Sequence, residues 1–152
     1  MAVTGVIFDC DGTLLDSMDA WLCAQAELAR RAGVALTDND EQTLITMTIP
    51  ETGGFFHDRF GLGEDAAAVV GMIDEIMLEH YSGEYVVARP GALEFVQGLH
   101  EAGVVCSVAS STPQRLLRAG LGNTGFSPYL VALVSVDDVG VSKRDPDVYH
   151  HA

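Results

Sequence analysis

The 152-residue sequence is poor in basic residues: one lysine and seven arginines stand against 22 aspartates and glutamates, giving a formal net charge of -14. Such a surface repels phosphate backbones and anionic lipid headgroups, so the composition argues against a protein that binds nucleic acid or a membrane surface. A phosphate-bearing ligand would then need a local group of positive charges or free amides. The single lysine, Lys143, is therefore a candidate site residue.

Cysteines and long apolar runs are also scarce. Cys10, Cys23 and Cys106 are odd in number and lack zinc-type or CxxC spacing, a usage typical of a reducing cytoplasm. The longest apolar runs, 66–73 and 129–136, are too short to cross a bilayer. No basic segment precedes the first apolar stretch, so we predict no signal peptide and expect a cytoplasmic protein.

The rest of the composition is that of a folded domain, with 48% apolar and 20% charged residues. Short apolar runs predict strands over 3–8, 104–109 and 130–136, and helical signals predict helices over 92–102, 112–120 and from 145 onward. The first run is almost continuously apolar, which predicts a strand covered on both faces. Thr112 is expected to cap its helix, with Pro113 at the first position. This alternation predicts the α/β class, with a parallel sheet and right-handed crossovers.

The segment from 17 to 87 has helical periodicity and no convincing strand. We predict helices over 17–32, 37–47 and 64–81, the second opened by an acidic capping box between Thr37 and Asp40. Pro50 and the Gly53-Gly54 pair predict an interruption after that helix. We therefore expect an all-helical insertion at 17–87 within an α/β core made of 1–16 and 88–152.

The first predicted strand ends in two carboxylates, in the run FDCDGT. Asp9 and Asp11 are two positions apart, so they project to the same side at the carboxyl end of the strand, where parallel sheets bind ligands. Gly12 allows a sharp turn and leaves amides to face an anion. Turns use these residue types too. Two close carboxylates are stabilised by a cation, and oxygen ligands suit Mg²⁺; a calcium loop would need further acids where Thr13 and Leu14 stand.

Polar residues also follow the next two predicted strands. Ser110 and Ser111 lead into a helix whose N-terminal amides form an anion site, although a capping role explains Ser111 and Thr112 about as well. Lys143 follows the third strand, in the segment SKRDP. Because parallel strands bring their carboxyl ends to one edge, we expect the acids, the hydroxyls and the lysine to share one cleft.

Taken in order, the runs FDCDGTLLDS, ASS and SKRDPDVY resemble the haloacid dehalogenase superfamily, specifically its phosphatase branch with a helical cap inserted after the first strand. The resemblance covers the whole chain. It implies a three-layer, Rossmann-like α/β core, incomplete in this chain, with the helical insertion as the cap domain. It also implies Mg²⁺-dependent hydrolysis of a small phosphorylated metabolite, a phosphomonoester, through an aspartyl-phosphate intermediate.

The resemblance implies a role for each matching position. Asp9 resembles the nucleophile and Asp11 the general acid and base, with Thr13 supporting their loop. Lys143 is implied to pair with both the nucleophile and the phosphate. Mg²⁺ is implied to bind the Asp9 carboxylate and the main-chain carbonyl of Asp11. Four residues are implied to bind the phosphate: Gly12, Ser110, Ser111 and Lys143.

The sequence departs from the family pattern at two points. Arg144 stands where the family usually has a proline. The family's acids that complete the Mg²⁺ site follow a further helix and strand, whereas Asp137 and Asp138 precede the lysine. We therefore expect a C-terminally truncated chain without the third acidic ligand, with weak Mg²⁺ binding and impaired activity. The family's absent strands lie beside the first strand, so we also expect self-association through that exposed edge.

Other functions stay open at this point. A dehalogenase of the family would have tyrosine in place of Asp11. A sugar-phosphate mutase of the family often has a cap histidine soon after the first motif, where this chain has Trp21, so a hydrolase is preferred. A receiver-like switch uses similar groups but lacks the long insertion. A noncatalytic remnant that binds phosphate or a partner would fit the absent acids. His57 and Arg59, in a predicted loop-to-helix segment, and Arg89 are candidate substrate contacts. The alternative is solvated surface for His57 and Arg59 and an ion pair with a neighbouring acid for Arg89. Trp21 is expected in the core.

Overall fold

The computed structural model describes residues 3–140, 143 and 145–152. The strands are β1 (Gly5–Phe8), β2 (Leu15–Asp16), β3 (Val87–Ala88), β4 (Val105–Ser110) and β5 (Ala132–Ser135). The helices are α1 (Met18–Ala32), α2 (Asp38–Leu44), α3 (Ile49–Phe60), α4 (Ala66–Ser82), α5 (Ala92–Glu101), α6 (Gln114–Asn123), α7 (Val136–Val139) and α8 (Asp147–His151), with a 3₁₀ turn at Ser127–Tyr129. Arg144, which departs from the family pattern, lies outside the described residues.

The main sheet is parallel, with the strand order β1-β4-β5. Gly5 lies opposite Val105, and Ser107 lies opposite Ala132, so the three strands run in the same direction and end at the same edge. The predicted α/β class with a parallel sheet is confirmed. A second, two-stranded antiparallel sheet joins β2 to β3.

The two faces of the main sheet are covered to different extents. On one face Phe8 contacts Phe95 of α5 edge to face, with ring centroids 6.3 Å apart. On the other face Val148 of α8 packs on Ala109 and Val134. Because α8 is only five residues long, it covers the carboxyl end of the strands and little else.

The expectation that the first strand is covered on both faces is wrong. Val3, Ile7 and Val105 are 68%, 43% and 50% exposed, because α8 does not reach them. Within the described part of the chain β1 pairs with β4 alone, so its other edge has no strand partner. The sheet therefore leaves an apolar face and one edge of β1 open.

Contacts divide the chain into two compact units, Met1–Met18 with His80–Ala152 and Asp19–Glu79. The limits drawn from the sequence were 16/17 and 87/88. The structure instead gives the last turn of α4 to the unit that contains the sheet, and it places a two-residue strand, β3, at Val87–Ala88, where the sequence showed none. So short a strand has no periodicity to detect, and its partner β2 is 71 to 73 residues away in sequence.

The helical unit contains the predicted α2, capped as expected. Thr37 accepts the amide of Asp40, and Asp40 accepts the amide of Thr37, which completes the capping box. The helix ends at Leu44 and not near 47. Among the described residues, no helix is both long and apolar enough to span a bilayer.

The predicted interruption at 50–54 is wrong, because α3 runs through it from Ile49 to Phe60. Thr48 caps this helix with Glu51, and Pro50 lies in its first turn, where no backbone donor is required. Gly53 faces α4: a Cβ there would lie 2.6 Å from Val70 Cγ2 and 2.8 Å from the carbonyl oxygen of Ala66. The glycine thus allows a close helix–helix contact and does not break the helix.

Candidate active site

Asp9 and Lys143 form an ion pair at the edge of the sheet where β1 and β5 end. The Lys143 ammonium donates to Asp9 Oδ1 at 2.8 Å, and the amide of Cys10 donates to the same oxygen at 2.8 Å. Oδ2 of Asp9 receives no donor from the described residues. The two side chains are 46% and 24% exposed, so a ligand can reach them. The structure therefore brings together the acid and the lysine that the sequence placed in one cleft.

The carboxylate of Asp11 is held by three side-chain hydroxyls. Oδ1 accepts hydrogen bonds from Ser17 Oγ, at 2.6 Å, and from the phenol of Tyr81, and Oδ2 accepts the hydroxyl of Thr112. A hydroxyl can both donate and accept, so the same three groups can serve a charged or a protonated carboxyl.

The contact of Thr112 corrects a prediction. The N-cap of α6 is Pro113, and no side chain caps that helix end. Thr112 Oγ1 donates instead to Asp11, 101 residues earlier in the sequence. The signal that favoured this role was already present, since Thr112 follows a strand at the ligand-binding edge of the sheet.

Tyr81 was not singled out from the sequence. It lies in the last turn of α4, fully buried, and burial together with the Asp11 charge raises its pKa, so the phenol stays protonated. The available signal was a tyrosine at the end of an apolar helix, because a buried tyrosine needs a partner for its hydroxyl. Ser17 was also missed as a partner of Asp11.

The loop after β1 closes on itself. The amide of Gly12 donates to Leu15 O at 2.9 Å, and the amides of Thr13 and Leu14 donate to Cys10 O at 3.2 and 2.8 Å. The expectation that Gly12 leaves these amides for an anion is therefore wrong. Gly12 has φ +74°, so it is needed for the turn itself.

Cys10 lies between the two acids but does not provide a thiolate. Its side chain is fully buried. Burial, with the charges of Asp11 and Asp9, raises the pKa of the thiol. Cys10 therefore packs as an apolar group beneath the loop.

The second predicted segment lies at the end of β4. Ser110 is buried, and its Oγ accepts the amide of Thr112 at 3.1 Å, while Ser111 is exposed. None of the described residues accepts the hydroxyl proton of Ser110. Ser135, which ends β5, donates its hydroxyl to Thr112 O at 2.8 Å and so ties the two strand ends together. Ser110 can thus donate to a ligand at this edge.

The oxygens present suit Mg²⁺, which commonly binds through one or two carboxylates and retains water molecules. Asp9 fits, since its carboxylate is exposed, whereas both side-chain oxygens of Asp11 are engaged by hydroxyls. No three His, Cys, Asp or Glu side chains of the described ranges cluster as a metal site. Asp138 instead accepts the amide of Ser135 at 2.8 Å, as a helix cap.

The candidate substrate contacts of the helical unit have structural partners. Arg59 forms an ion pair with buried Asp40 at 2.9 Å and lies over the rings of Phe55 and Phe60. Hydrogen bonds from Thr37, followed by the charge of Arg59, lower the pKa of Asp40. Arg59 therefore holds α2 to α3.

The other candidates differ from expectation as well. His57 lies within α3 and not in a loop, with Nδ1 3.1 Å from Leu62 O. Trp21, expected in the core, is only partly buried on α1. Arg89 donates to Gly12 O at 3.1 Å and pairs with no acid among the described residues. Arg89 thus supports the loop that carries Asp9 and Asp11.

The family model for haloacid dehalogenase-like hydrolases matches residues 6–152. The chain belongs to this family, which confirms the resemblance read from the sequence. It is 28% identical over 149 residues to the N-acetylmuramic acid 6-phosphate phosphatase of Pseudomonas aeruginosa, an alignment covering 97% of this chain and 65% of that protein. It is 29% identical over 155 residues to hexitol phosphatase A of Escherichia coli, covering 98% and 67%.

A solved structure shares the fold. The chain superposes on CbbY from Rhodobacter sphaeroides, determined in complex with phosphate, with a TM-score of 0.78 and 20% sequence identity; the match covers 98% of this chain and 70% of CbbY. The chain spans about two thirds of the length of the two phosphatases and of CbbY.

Proposed function

We propose that this chain carries the nucleophile, the proton-transfer group and the phosphate-binding lysine of a Mg²⁺-dependent phosphomonoesterase. The observation that carries the proposal is the 2.8 Å contact between Lys143 Nζ and Asp9 Oδ1, across 134 residues of sequence. A carboxylate can attack a phosphate dianion only where a cation reduces their repulsion. In a protein with a net charge of -14, its single lysine lies at that point.

The proposed first step forms an aspartyl-phosphate. Oδ2 of Asp9, which has no donor among the described residues, attacks phosphorus as the bond to the ester oxygen breaks. That oxygen leaves with a proton from Asp11. In the second step Asp11 takes a proton from water, the water oxygen bonds to phosphorus, and the bond to Asp9 breaks to release inorganic phosphate.

The phosphate is proposed to lie between Lys143 and the segment after β4. Ser110 donates its hydroxyl, exposed Ser111 lies beside it, and the N-terminus of the ten-residue helix α6 follows. The Asp9 carboxylate and the main-chain carbonyl of Asp11 would hold Mg²⁺, which would neutralise charge on the transferred phosphoryl group. Gly12 shapes the turn.

The proposed substrates are small phosphorylated metabolites, sugar phosphates among them. Support comes from the names of the relatives, a phosphatase of N-acetylmuramic acid 6-phosphate and a hexitol phosphatase. Both names describe hydrolysis and not a mutase reaction. We further propose that residues 17–87 are the family's cap domain and that the protein is cytoplasmic.

The proposal is tested by measuring phosphate release from p-nitrophenyl phosphate and from a panel of sugar phosphates with Mg²⁺. Wild-type protein should release phosphate, and Asp9→Asn should not, because the amide cannot act as the nucleophile. Asp137→Asn, an exposed acid of α7, is the matched control and should retain activity. An Asp9→Asn variant as active as wild type, or a wild type inactive on the whole panel, would overturn the proposal.

A further inference from the structure

We propose that Tyr81 is a positioning residue for Asp11: its phenol fixes the carboxylate that transfers the proton. This inference rests on the proposed function. The contact joins residues 70 positions apart, the last turn of α4 and the loop after β1, so it is made by the tertiary fold.

The ring of Tyr81 is held in a slot of fixed shape. Its side chain is fully buried, and one wall of the slot is Gly120 of α6. A Cβ at position 120 would lie 2.7 Å from Tyr81 Cδ1 and 2.8 Å from Leu15 Cδ1. Both distances are shorter than a van der Waals contact, so the ring and Leu15 together fill the space that a side chain at 120 would need. Packing therefore aims the phenol.

The other two donors to Asp11 are buried as well, but their side chains are short. Ser17 and Thr112 present hydroxyls that rotate about a single bond, and one of them serves each carboxylate oxygen. The hydroxyl of Tyr81 moves only when the whole ring moves. Of the three groups, Tyr81 is thus the one through which the core fixes the orientation of Asp11.

The loss of this hydroxyl should have a chemical signature. Protonation of the departing oxygen matters most when that oxygen is strongly basic, as in an alkyl phosphate, and least when it is weakly basic, as in p-nitrophenyl phosphate. A misplaced Asp11 should therefore slow the alkyl substrate selectively. A general loosening of the fold would slow both substrates alike.

The test is Tyr81→Phe, which keeps the ring in its slot and removes the hydroxyl. We expect kcat on glucose 6-phosphate to fall by about 10²-fold, the scale of a misplaced reacting group, with little change in KM or in kcat on p-nitrophenyl phosphate. Gly120→Ala should give the same selective loss by displacing the ring. The matched control is Tyr129→Phe, which removes a phenol that accepts from Gln97 and should change neither rate.

If Tyr81→Phe loses the same fraction of kcat on both substrates, or loses none, the positioning role of Tyr81 is overturned. The proposed function still stands in that case, provided that the wild type is active and Asp9→Asn is not. If the wild type hydrolyses nothing, the proposed function fails, and crystal structures of wild type and Tyr81→Phe decide the positioning. A carboxylate of Asp11 that turns in the variant supports the role of Tyr81. A carboxylate that keeps its place overturns it.

Discussion

Lys143 Nζ lies 2.8 Å from Asp9 Oδ1, although 134 positions separate the two residues. Asp9 follows the first strand of the sheet, and Lys143 comes after the last. The pair forms because all three strands are parallel and end at one edge. The parallel order of the strands thus brings two residues that are distant in sequence to the same edge of the sheet.

Removing the ammonium should cost most of the activity. Lys143→Met should lower kcat by about 10²–10³-fold, because transition-state charge loses its counter-charge in the site. Lys143→Arg should recover part of the rate, since it restores the charge with different geometry. Steady-state kinetics on p-nitrophenyl phosphate measure the effect. Arg118→Met, which removes an exposed cation of α6, is the control, and an equal loss in that variant would contradict the assignment.

Two adjacent glycines of α3 should respond in opposite directions to the same substitution. Gly53→Ala should destabilise the protein by about 1–3 kcal/mol, because its Cβ would meet Val70 and the backbone of α4. A Cβ at Gly54 would meet no other atom within 4 Å, so Gly54→Ala should stabilise by about 0.5–1 kcal/mol. Urea unfolding of both variants decides the matter, and equal changes would contradict the packing described for Gly53.

Asp40 should make the helical unit sensitive to acid. Its pKa is lowered in the folded state by hydrogen bonds from Thr37 and by the charge of Arg59, whereas in the unfolded chain it is about 3.9. The folded protein therefore binds fewer protons, so this contribution to stability is present above the unfolded pKa and is lost as pH falls through the folded value. Asp40→Asn should flatten the acid side of the stability curve. Asp38→Asn, an exposed acid of the same helix, should leave the curve largely unchanged.

Tyr81 should have the opposite effect at alkaline pH. Its folded pKa is raised by burial and by Asp11, above the value of about 10 in the unfolded chain. Unfolding then releases a proton above that pH, so the stability from the neutral phenol is lost as pH rises. Denaturation measured at increasing pH should show a decline that is smaller in Tyr81→Phe. The control is Tyr149→Phe, at an exposed position, which should keep the wild-type decline in stability. If Tyr81→Phe declines as much as wild type, groups other than Tyr81 cause the alkaline loss of stability.

The uncovered side of the sheet should support self-association. Ile7 is 43% exposed, and β1 lacks a partner on one edge within the described ranges. Sedimentation velocity should show oligomers that increase with protein concentration and with salt, which screens the net charge of -14. Ile7→Lys should weaken association. The control is Leu22→Lys on α1, which replaces a side chain about as exposed as Ile7 and should leave association unchanged. A wild type that stays monomeric throughout would contradict the prediction.

The sequence predicted the site residues that follow directly after the strands of the parallel sheet. Asp9, Asp11 and Lys143 could be found because parallel strands have one ligand-binding edge and the chain has one lysine. Their catalytic roles stay predictions. The contacts of Thr112 and Tyr81 with Asp11 were missed, because Thr112 also fitted a helix-capping role and a tyrosine at the end of an apolar helix does not show which group its hydroxyl contacts.

Two predictions that were based on glycines, at Gly53 and Gly12, are wrong. Gly53 suggested a break, yet its missing side chain is what permits the contact with α4. Gly12 suggested amides open to an anion, yet the turn that it permits consumes its own amide in a hydrogen bond to Leu15. In both cases the neighbours that decide the role of the glycine belong to the folded state, so local sequence rules could not supply them.

The single lysine at the site has a practical consequence for spectroscopy. An amine-directed reagent has only two kinds of target in this chain, the Lys143 side chain and the α-amino group. Reductive methylation with ¹³C-formaldehyde should therefore place one isotopic reporter beside Asp9 without any engineering of the sequence. Its NMR signal would report ligand binding and release, because these 152 residues contain no other lysine.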